Sequence, residues 1–467
     1  MPGLISEVAN TDRDEKPSQA VVSWAYAGLF LVLSVSFAIK SILSKHLSLD
    51  GIGYFFLVLE NQTFAGVAWS RRFTEYLTEW PLVLMVQTGV TDLDFLSGAF
   101  AFGIYLPYLI SFGICWYAVR DEDKNLLWFP LAGYIGFNIL SDYDLIADHH
   151  VLAQMTWPIL FLLVKTRPLQ WIEGLLLCLL LVAYTRMYET VVLTGLILVA
   201  IGLGRLYWYR VRQEQVIIGI VLVLLVIAVY IGIQYIVDPR SPQNRGAFLD
   251  SIWVNRRNWE AVSTNLFLLL IGCGWVVSSK FKVMKMTAIL LSLVPIAVYV
   301  YLRLVYPDYA MTAYLSFSSR TLIGFVVPGL MIGCVIVVVM KARIPLFGVG
   351  IFVVGFATMT AFNLSDLRHW NQVRAEFSHA MESDELFVSV DDTPLGDPEL
   401  NLRHYRWSSN NSLLSLVWSG DCVRTIILNS PGGPQGLIDP RRALVFKRYL
   451  KYAQGFKAVD PKVRICD

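Results

Sequence analysis

Eleven apolar blocks follow one another between positions 22 and 363, and they constrain the fold more than any other feature of the chain. Blocks such as 215–237 and 286–305 hold roughly 20 nearly uninterrupted apolar residues, the length that one α-helix needs to cross a bilayer. Hydrophobic residues make up 56% of the 467 residues and charged residues only 16%, which excludes a soluble globular protein. The pattern predicts an all-α polytopic membrane protein with about eleven transmembrane helices.

The short connections between alternate blocks are rich in Lys and Arg, which is typical of the cytoplasmic side of a membrane protein. The predicted spans are approximately 22–44, 97–119, 125–141, 151–165, 169–185, 190–207, 215–237, 263–279, 286–305, 321–340 and 345–363. The connections that follow the second, fourth, sixth, eighth and tenth of them carry twelve cations. We therefore expect a multi-pass cell (inner) membrane protein with a cytoplasmic tail at 1–21, a transmembrane module at 22–363 and a C-terminal part on the extracytoplasmic (periplasmic) side.

Residues 51–96 form neither a span nor an ordinary loop. The stretch 52–60 is apolar but too short to cross a bilayer, and 71–88 mixes charged with aromatic residues. Such segments are typical of helices that lie in the plane of the membrane interface. We expect interfacial helices in the first outer loop, which either form the wall of a lipid-entry groove or only cover the helix bundle.

The C-terminal part has the composition of a soluble domain. Apolar residues recur at helical spacing from Leu367 to Met381, and 385–391 and 422–428 have the pattern of short strands. The sequence therefore predicts a small α/β extracytoplasmic domain at 364–467.

Ionisable residues gather at the outer ends of the blocks. Asp50 follows the first span, with Tyr54 four residues later, and a carboxylate that is partly shielded from water can accept a proton. The second group consists of Asp142, Asp144, Asp148, His149 and His150. Its carboxylates and imidazoles are enough to bind a divalent cation or orient a hydroxyl, and a hydrated loop is the alternative.

The third group is Arg186 and Glu189, in a tight outer turn. An Arg at the bilayer centre costs about 2.5–3.5 kcal/mol on insertion scales, so Arg186 should face water, an acid or a substrate. A structural Arg–Glu pair explains this group as well as a functional one does. The outer loop 238–262 adds Arg256 and Arg257, which either pair with lipid headgroups or belong to a mobile loop that closes over a phosphate-bearing substrate.

This arrangement resembles the GT-C glycosyltransferases, multi-span enzymes that use a polyprenyl-phosphate sugar as donor. In that family, an acidic residue follows the first transmembrane helix in a loop of interfacial helices, and a second acidic motif lies in the next outer loop. Asp50 with 51–96 matches the first feature, and the segment from Asp142 to His150 matches the second. The resemblance covers about residues 20–190. Asp50 stands alone where several members have an acidic pair, which leaves open whether a divalent cation (Mg²⁺ or Mn²⁺) is used.

The resemblance implies roles for these residues. Asp50 would be the general base that deprotonates an acceptor hydroxyl, in an inverting transfer to a glycan, lipid or protein acceptor. The acidic and His residues from Asp142 to His150 would orient the acceptor or hold an optional metal, with Tyr54 and Glu189 in support. The cations that would stabilise the departing lipid phosphate are Arg186, Arg256, Arg257, Arg303 and Arg320.

Two other classes compete with this interpretation. A Wzy-like polysaccharide polymerase or O-antigen ligase also handles lipid-linked glycans, and the Arg-rich loop 238–262 favours it somewhat. A lipid or glycan transporter would place polar groups near the membrane midplane and often contains inverted repeats. The blocks here are nearly free of charge at their centres. Nucleic acid is not an expected partner, because the sequence contains neither a basic soluble domain nor a recognisable binding motif.

Overall fold

The computed structural model describes residues 16–47, 50–66, 71–90, 92–120, 122, 124–138, 148–208, 211–238, 314–339, 346–365, 367–383, 387–389, 392–393, 414–415, 417–418 and 426–428. Most of these residues are helical. The helices are α1 (Lys16–Ile42), α2 (Asp50–Asn61), α3 (Arg72–Gln87), α4 (Leu93–Ala118), α5 (Trp128–Asn138), α6 (Asp148–Val164), α7 (Trp171–Tyr184), α8 (Val191–Trp208), α9 (Arg212–Val237), α10 (Tyr314–Val339), α11 (Leu346–Ser365) and α12 (Leu367–Ala380). Short 3₁₀ turns lie at Lys45–Leu47 and Lys124–Leu127.

Nine of the eleven predicted spans coincide with described helices, and the other two, 263–279 and 286–305, lie outside the described residues. Among the helices that the structure describes, four are long and apolar enough to cross a membrane, judged by length and composition. They are Ala20–Ile42, Leu93–Ala118, Val191–Trp208 and Arg212–Val237. The described chain therefore has the properties of an α-helical membrane protein.

Helix α6 lies at the centre of the bundle. Every side chain from His150 to Leu163 is buried, and helices α4, α5, α7, α8 and α10 pack around it. An apolar helix that is buried on all sides needs no polar face, which explains the lack of amphipathic periodicity in this segment. The surrounding helices instead expose apolar side chains outwards, as Leu175 of α7 and Val223 of α9 do.

A second apolar cluster lies beside the main one. It joins α2, α3, the first part of α4 and α12, and its fully buried members include Phe55, Leu82, Leu96 and Trp370. The segments predicted as helices at 52–60 and 71–88 are indeed helical, as α2 and α3. Helix α12, which the apolar spacing from Leu367 predicts, packs against the segment between α1 and α4.

The two short strands predicted in the C-terminal part are confirmed. Strands β1 (Phe387–Ser389) and β2 (Ile426–Leu428) pair in parallel, with Val388 opposite Ile427. A parallel pair needs a crossover connection rather than a tight turn, in agreement with the 36 intervening residues (390–425).

Candidate functional site

One end of the bundle is defined by contacts among the connection that follows α4, the end of α6 with its connection, and the last turn of α8. The backbone N–H and hydroxyl of Thr166 donate to the Glu122 carboxylate over 2.9 and 2.6 Å. The guanidinium of Arg205 donates to the carbonyls of Leu163 and Lys165 over 2.8 and 2.6 Å. We call this the Lys165 end.

The opposite end contains the start of α4 and the 3₁₀ turn that follows α1. There the Nε2 atom of His46 lies 2.8 Å from the hydroxyl oxygen of Ser97. Helix α2, whose first residue is Asp50, packs against the same turn. We call this the Asp50 end.

Helix directions bring further predicted site segments to the Asp50 end. Helix α6 has 17 residues and is about 25 Å long, so its first residue, Asp148, lies at the end opposite Leu163. Helix α7 starts near Lys165, whose ammonium lies 2.6 Å from the Glu173 carboxylate, and it therefore carries the turn 185–190 to the Asp50 end. Three of the predicted segments thus share one end of the bundle.

The turn after α7 is tied to the start of α3 by an ion pair. The Arg71 guanidinium lies 3.2 Å from the Glu189 carboxylate, with side chains that are 17% and 5% exposed. The same guanidinium stacks on the Tyr188 ring at 4.5 Å from its centroid. The structural partner of Glu189 is therefore Arg71, a residue that the sequence analysis assigned only to an interfacial helix.

Backbone contacts reinforce this junction. The Thr74 hydroxyl donates to the carbonyl of Met187 over 2.9 Å, and the backbone N–H of Phe73 donates to the carbonyl of Arg186 over 3.2 Å. The main chain at Arg186 is thus fixed against the first turn of α3. Its side chain is half-buried.

Two carboxylates of α3 point inwards. Glu79, which is fully buried, accepts a hydrogen bond of 2.8 Å from the backbone N–H of Ala65, and Glu75 accepts one of 3.1 Å from Gly66. They hold the chain that leaves α2 against α3. An interfacial helix would keep its acids in water, so the sequence analysis missed this role. The i, i+4 spacing of the two acids on one helix face was the available signal.

A cluster of buried basic side chains lies between α1 and α2. Lys45 is 2% exposed, and its ammonium lies 4.9 Å from the centroid of the Trp370 ring. The Trp370 indole N–H donates to the carbonyl of Leu43 over 2.7 Å. Burial lowers the pKa of the His46 imidazole from 6.5 to about 3, although its bond with Ser97 acts in the opposite direction. His46 is therefore neutral at neutral pH.

The remaining predicted site residues are only partly described. Asp50, Asp148 and His149 are placed by their backbones alone, at the first residues of α2 and α6. His150 is buried, and Tyr54 is half-buried beside the second apolar cluster. Arg320 belongs to α10, 19 positions before Val339 and therefore about 28 Å from it along the helix. Asp142, Asp144, Arg256, Arg257 and Arg303 lie outside the described residues.

Within the described residues, no group of three or more His, Cys, Asp or Glu side chains is arranged to hold a metal ion. The acidic residues expected to bind an optional divalent cation have no described side chains.

Comparison with known proteins identifies no relative: no family model, no curated protein and no solved structure matches this chain.

Proposed function

We propose that the chain is an inverting glycosyltransferase of the GT-C type. It would transfer a sugar from a polyprenyl-phosphate donor to a hydroxyl of a glycan, lipid or protein acceptor. The observation that carries this proposal is the convergence of three chain segments at the Asp50 end: the start of α2, the start of α6 and the turn between α7 and α8. Acidic groups and a cation on separate segments can then act on one substrate at a membrane boundary.

The proposed chemistry needs a base on one side of the sugar and positive charge on the other. Asp50 accepts the proton of the acceptor hydroxyl while that oxygen forms a bond to the anomeric carbon. The bond between the anomeric carbon and the lipid phosphate breaks on the opposite face, and the phosphate keeps the electron pair. Arg186 and Arg320 stabilise its growing negative charge, and the Arg residues of the loop 238–262 are further candidates.

The junction between α3 and the outer turn suits such a site. An Arg stabilises a bound phosphate most strongly when its backbone is already fixed, because no free energy then has to be spent on ordering it during the reaction. The carbonyl of Arg186 accepts a hydrogen bond from Phe73, and the neighbouring Glu189 is held by Arg71. These contacts support a role for the turn as a rigid platform beside the donor phosphate.

The proposed topology has eleven crossings, with the Lys165 end in the cytoplasm and the Asp50 end on the extracytoplasmic side of the cell membrane. The described parts of the cation-rich connections, around the C-terminal ends of α4, α6 and α8, belong to the Lys165 end, in accord with the positive-inside rule. Helix α12 packs at the Asp50 end, where Trp370 binds the carbonyl of Leu43. The proposed C-terminal domain at 364–467 and the reaction would therefore share one side of the membrane.

The test is sugar transfer from a polyprenyl-phosphate donor by the full chain in proteoliposomes. Asp50→Asn should lower the rate by about 10²–10⁴-fold, the usual contribution of a general base. Asp94→Asn is the matched control, because Asp94 is an exposed carboxylate in the first turn of α4 at the same end. An Asp50→Asn variant that works at the wild-type rate would exclude the proposed mechanism.

Two further arms of the same assay define the reaction. Arg186→Gln should weaken the dependence on the donor phosphate, whereas Arg72→Gln, at an exposed neighbour of the junction, should leave it unchanged. Chelation of divalent cations then reports whether a metal takes part. Transfer of whole glycan chains instead of single sugars would identify a polymerase or ligase.

A further inference from the structure

An apolar groove at the Lys165 end lies far from the proposed reaction site. It has a volume of about 820 Å³, within the ~300–1,000 Å³ typical of ligand pockets. The C-terminal parts of α6, α8 and α10 form its walls, with aliphatic side chains such as Ile197, Ile201, Val335 and Ile336. Gly204 of α8 contributes no side chain, which keeps the groove open between α8 and α10.

The mouth of the groove is polar and basic. Lys165, Thr166 and Arg205 line it together with Trp208, whose side chain is 68% exposed. A Trp beside basic residues at a helix end is typical of the boundary between the lipid tails and the headgroups. The groove thus extends from the headgroup level into the apolar region.

Lys165 and Arg205 at the mouth are held in place by buried acids, and Arg167, two positions after Lys165, shares one of these acids. The Lys165 ammonium and the Arg167 guanidinium lie 2.6 and 2.8 Å from the Glu173 carboxylate. The Arg205 guanidinium lies 2.6 Å from Glu214. Arg167 is the most accessible of these cations, with 27% of its side chain exposed. Its charge can therefore reach a group that binds at the surface.

The charge of this end favours an anionic ligand. The connections 120–124, 165–173 and 205–214 together contain seven Lys and Arg residues against five Asp and Glu residues. Basic pockets between transmembrane helices on the cytoplasmic side are a known way to bind anionic lipid headgroups. A ligand with one negative charge and long apolar chains matches both the walls and the mouth.

We propose that this groove binds one anionic phospholipid of the adjoining leaflet, with an acyl chain between α8 and α10 and its phosphate beside Arg167. The donor proposed above would place its phosphate at the Asp50 end, a full helix length away. The phospholipid site is therefore independent of the proposed reaction. It would strengthen the contact between α8 and α10, which are distant in sequence.

Lipid retention by the full chain tests the proposal. The protein is reconstituted in nanodiscs with equal amounts of phosphatidylglycerol and phosphatidylcholine of identical acyl chains, and transferred to mild detergent. Native mass spectrometry then counts the lipids that remain bound. We expect one retained phosphatidylglycerol, preferred at least fivefold over phosphatidylcholine. Arg167→Gln should reduce this preference. Equal retention of both lipids by the wild type would overturn the proposal.

Variants that fill the groove locate the bound lipid. Gly204→Leu should lower phosphatidylglycerol retention at least fivefold, since a Cβ there meets only the Trp208 ring at 3.6 Å and the helix tolerates it. Ala200→Phe, from an exposed position of the same wall, is the second variant in case the first does not fold. Gly219→Leu is the control, because a Cβ at Gly219 of α9 meets nothing within 4 Å. Wild-type retention by both filled variants would overturn the assignment.

A competition arm separates the phospholipid from the donor. Added polyprenyl phosphate should leave the retained phosphatidylglycerol in place. If it displaces the phospholipid in proportion to its concentration, the groove holds the polyprenyl chain and the proposal is wrong. Neither result depends on sugar transfer, so failure of the proposed function would not affect this test.

Discussion

Arg71 and Glu189 are 118 positions apart in the sequence, and their side chains form an ion pair of 3.2 Å. This pair joins the residue directly before α3 to the turn between α7 and α8. Both side chains are largely shielded from water, and Tyr188 covers the guanidinium on one face. The pair therefore fixes the position of the outer turn relative to the first loop, where the candidate site lies.

Loss of this ion pair should weaken the fold. We expect Arg71→Gln and Glu189→Gln each to lower the free energy of unfolding by about 1–3 kcal/mol, less than the ~3–5 kcal/mol of a fully buried pair, because Arg71 is partly exposed. The free energies of unfolding of the wild type, the two single variants and the double variant, measured in mixed micelles, give the coupling energy between Arg71 and Glu189. Arg72→Gln, at an exposed position, should change little. Purely additive effects of the two substitutions would contradict the role of the pair.

The close packing of α3 against α4 depends on Gly103. A Cβ at this position would lie 1.9 Å from the carbonyl oxygen of Thr78, so Gly103→Ala must push the two helices apart. We expect a loss of about 1–3 kcal/mol or more in the free energy of unfolding. Gly113→Ala on the same helix meets nothing within 4 Å and should be neutral or slightly stabilising. Equal stability of the two variants would mean that α3 and α4 pack differently.

The helices and the two strands could be predicted from the sequence because local patterns determine them. A block of apolar residues such as 215–237 has the length and composition of a transmembrane helix, whichever helices it packs against. Helix α9 (Arg212–Val237) matches that block within three residues. The pattern does not reveal the neighbours of a helix: α6 is buried on all sides and α9 is exposed along one side, yet both are strongly apolar.

The candidate site was less predictable, because its contacts are not local. Arg71 and Glu189 belong to segments with no shared pattern, and charge alone suggests that Glu75 and Glu79 face water. These acids are buried because the segment that follows α2 packs against α3 and donates backbone N–H groups to their carboxylates. The sequence alone does not predict this contact. In contrast, the common location of Asp50, Asp148 and the turn 185–190 follows from the alternating direction of successive helices, which the sequence could predict.

Arg205 is the central residue of the ion network at the Lys165 end. Its guanidinium pairs with Glu214 and also donates to three carbonyls, that of Leu163 in the last turn of α6 and those of Lys165 and Arg167 in the α6–α7 connection. A Lys has the charge but not the planar fork of donors, so Arg205→Lys should cost about 2–4 kcal/mol in the free energy of unfolding. Arg212→Lys, at an exposed position at the start of α9, is the control. If both variants lost the same small amount of free energy of unfolding, the positive charge of Arg205 alone, and not its fork of donors, would stabilise this end.

His46 should make the fold sensitive to acid. The pKa of its imidazole is about 3 in the folded protein and 6.5 as its ordinary value, so below pH 6.5 the unfolded chain takes up a proton that the folded chain does not. The free energy of unfolding is therefore unaffected by this proton above pH 6.5. It decreases as the pH falls from 6.5 towards 3, by about 1.4 kcal/mol per pH unit at most. Protonation would place a charge in the cluster around Ser97 and Phe100.

The pH dependence can be assigned to His46 by comparison of variants. His46→Gln should be less stable than the wild type at pH 7, because Gln fits the pocket less well, but its free energy of unfolding should decline less steeply between pH 6.5 and 4. His379→Gln is the control, since the His379 side chain is 73% exposed and its surroundings change little on unfolding. The measurement is the free energy of unfolding in mixed micelles at several pH values. If His46→Gln and the wild type have parallel curves, the imidazole is hydrated in the folded state, and the packing of the turn after α1 against α4 has to be revised.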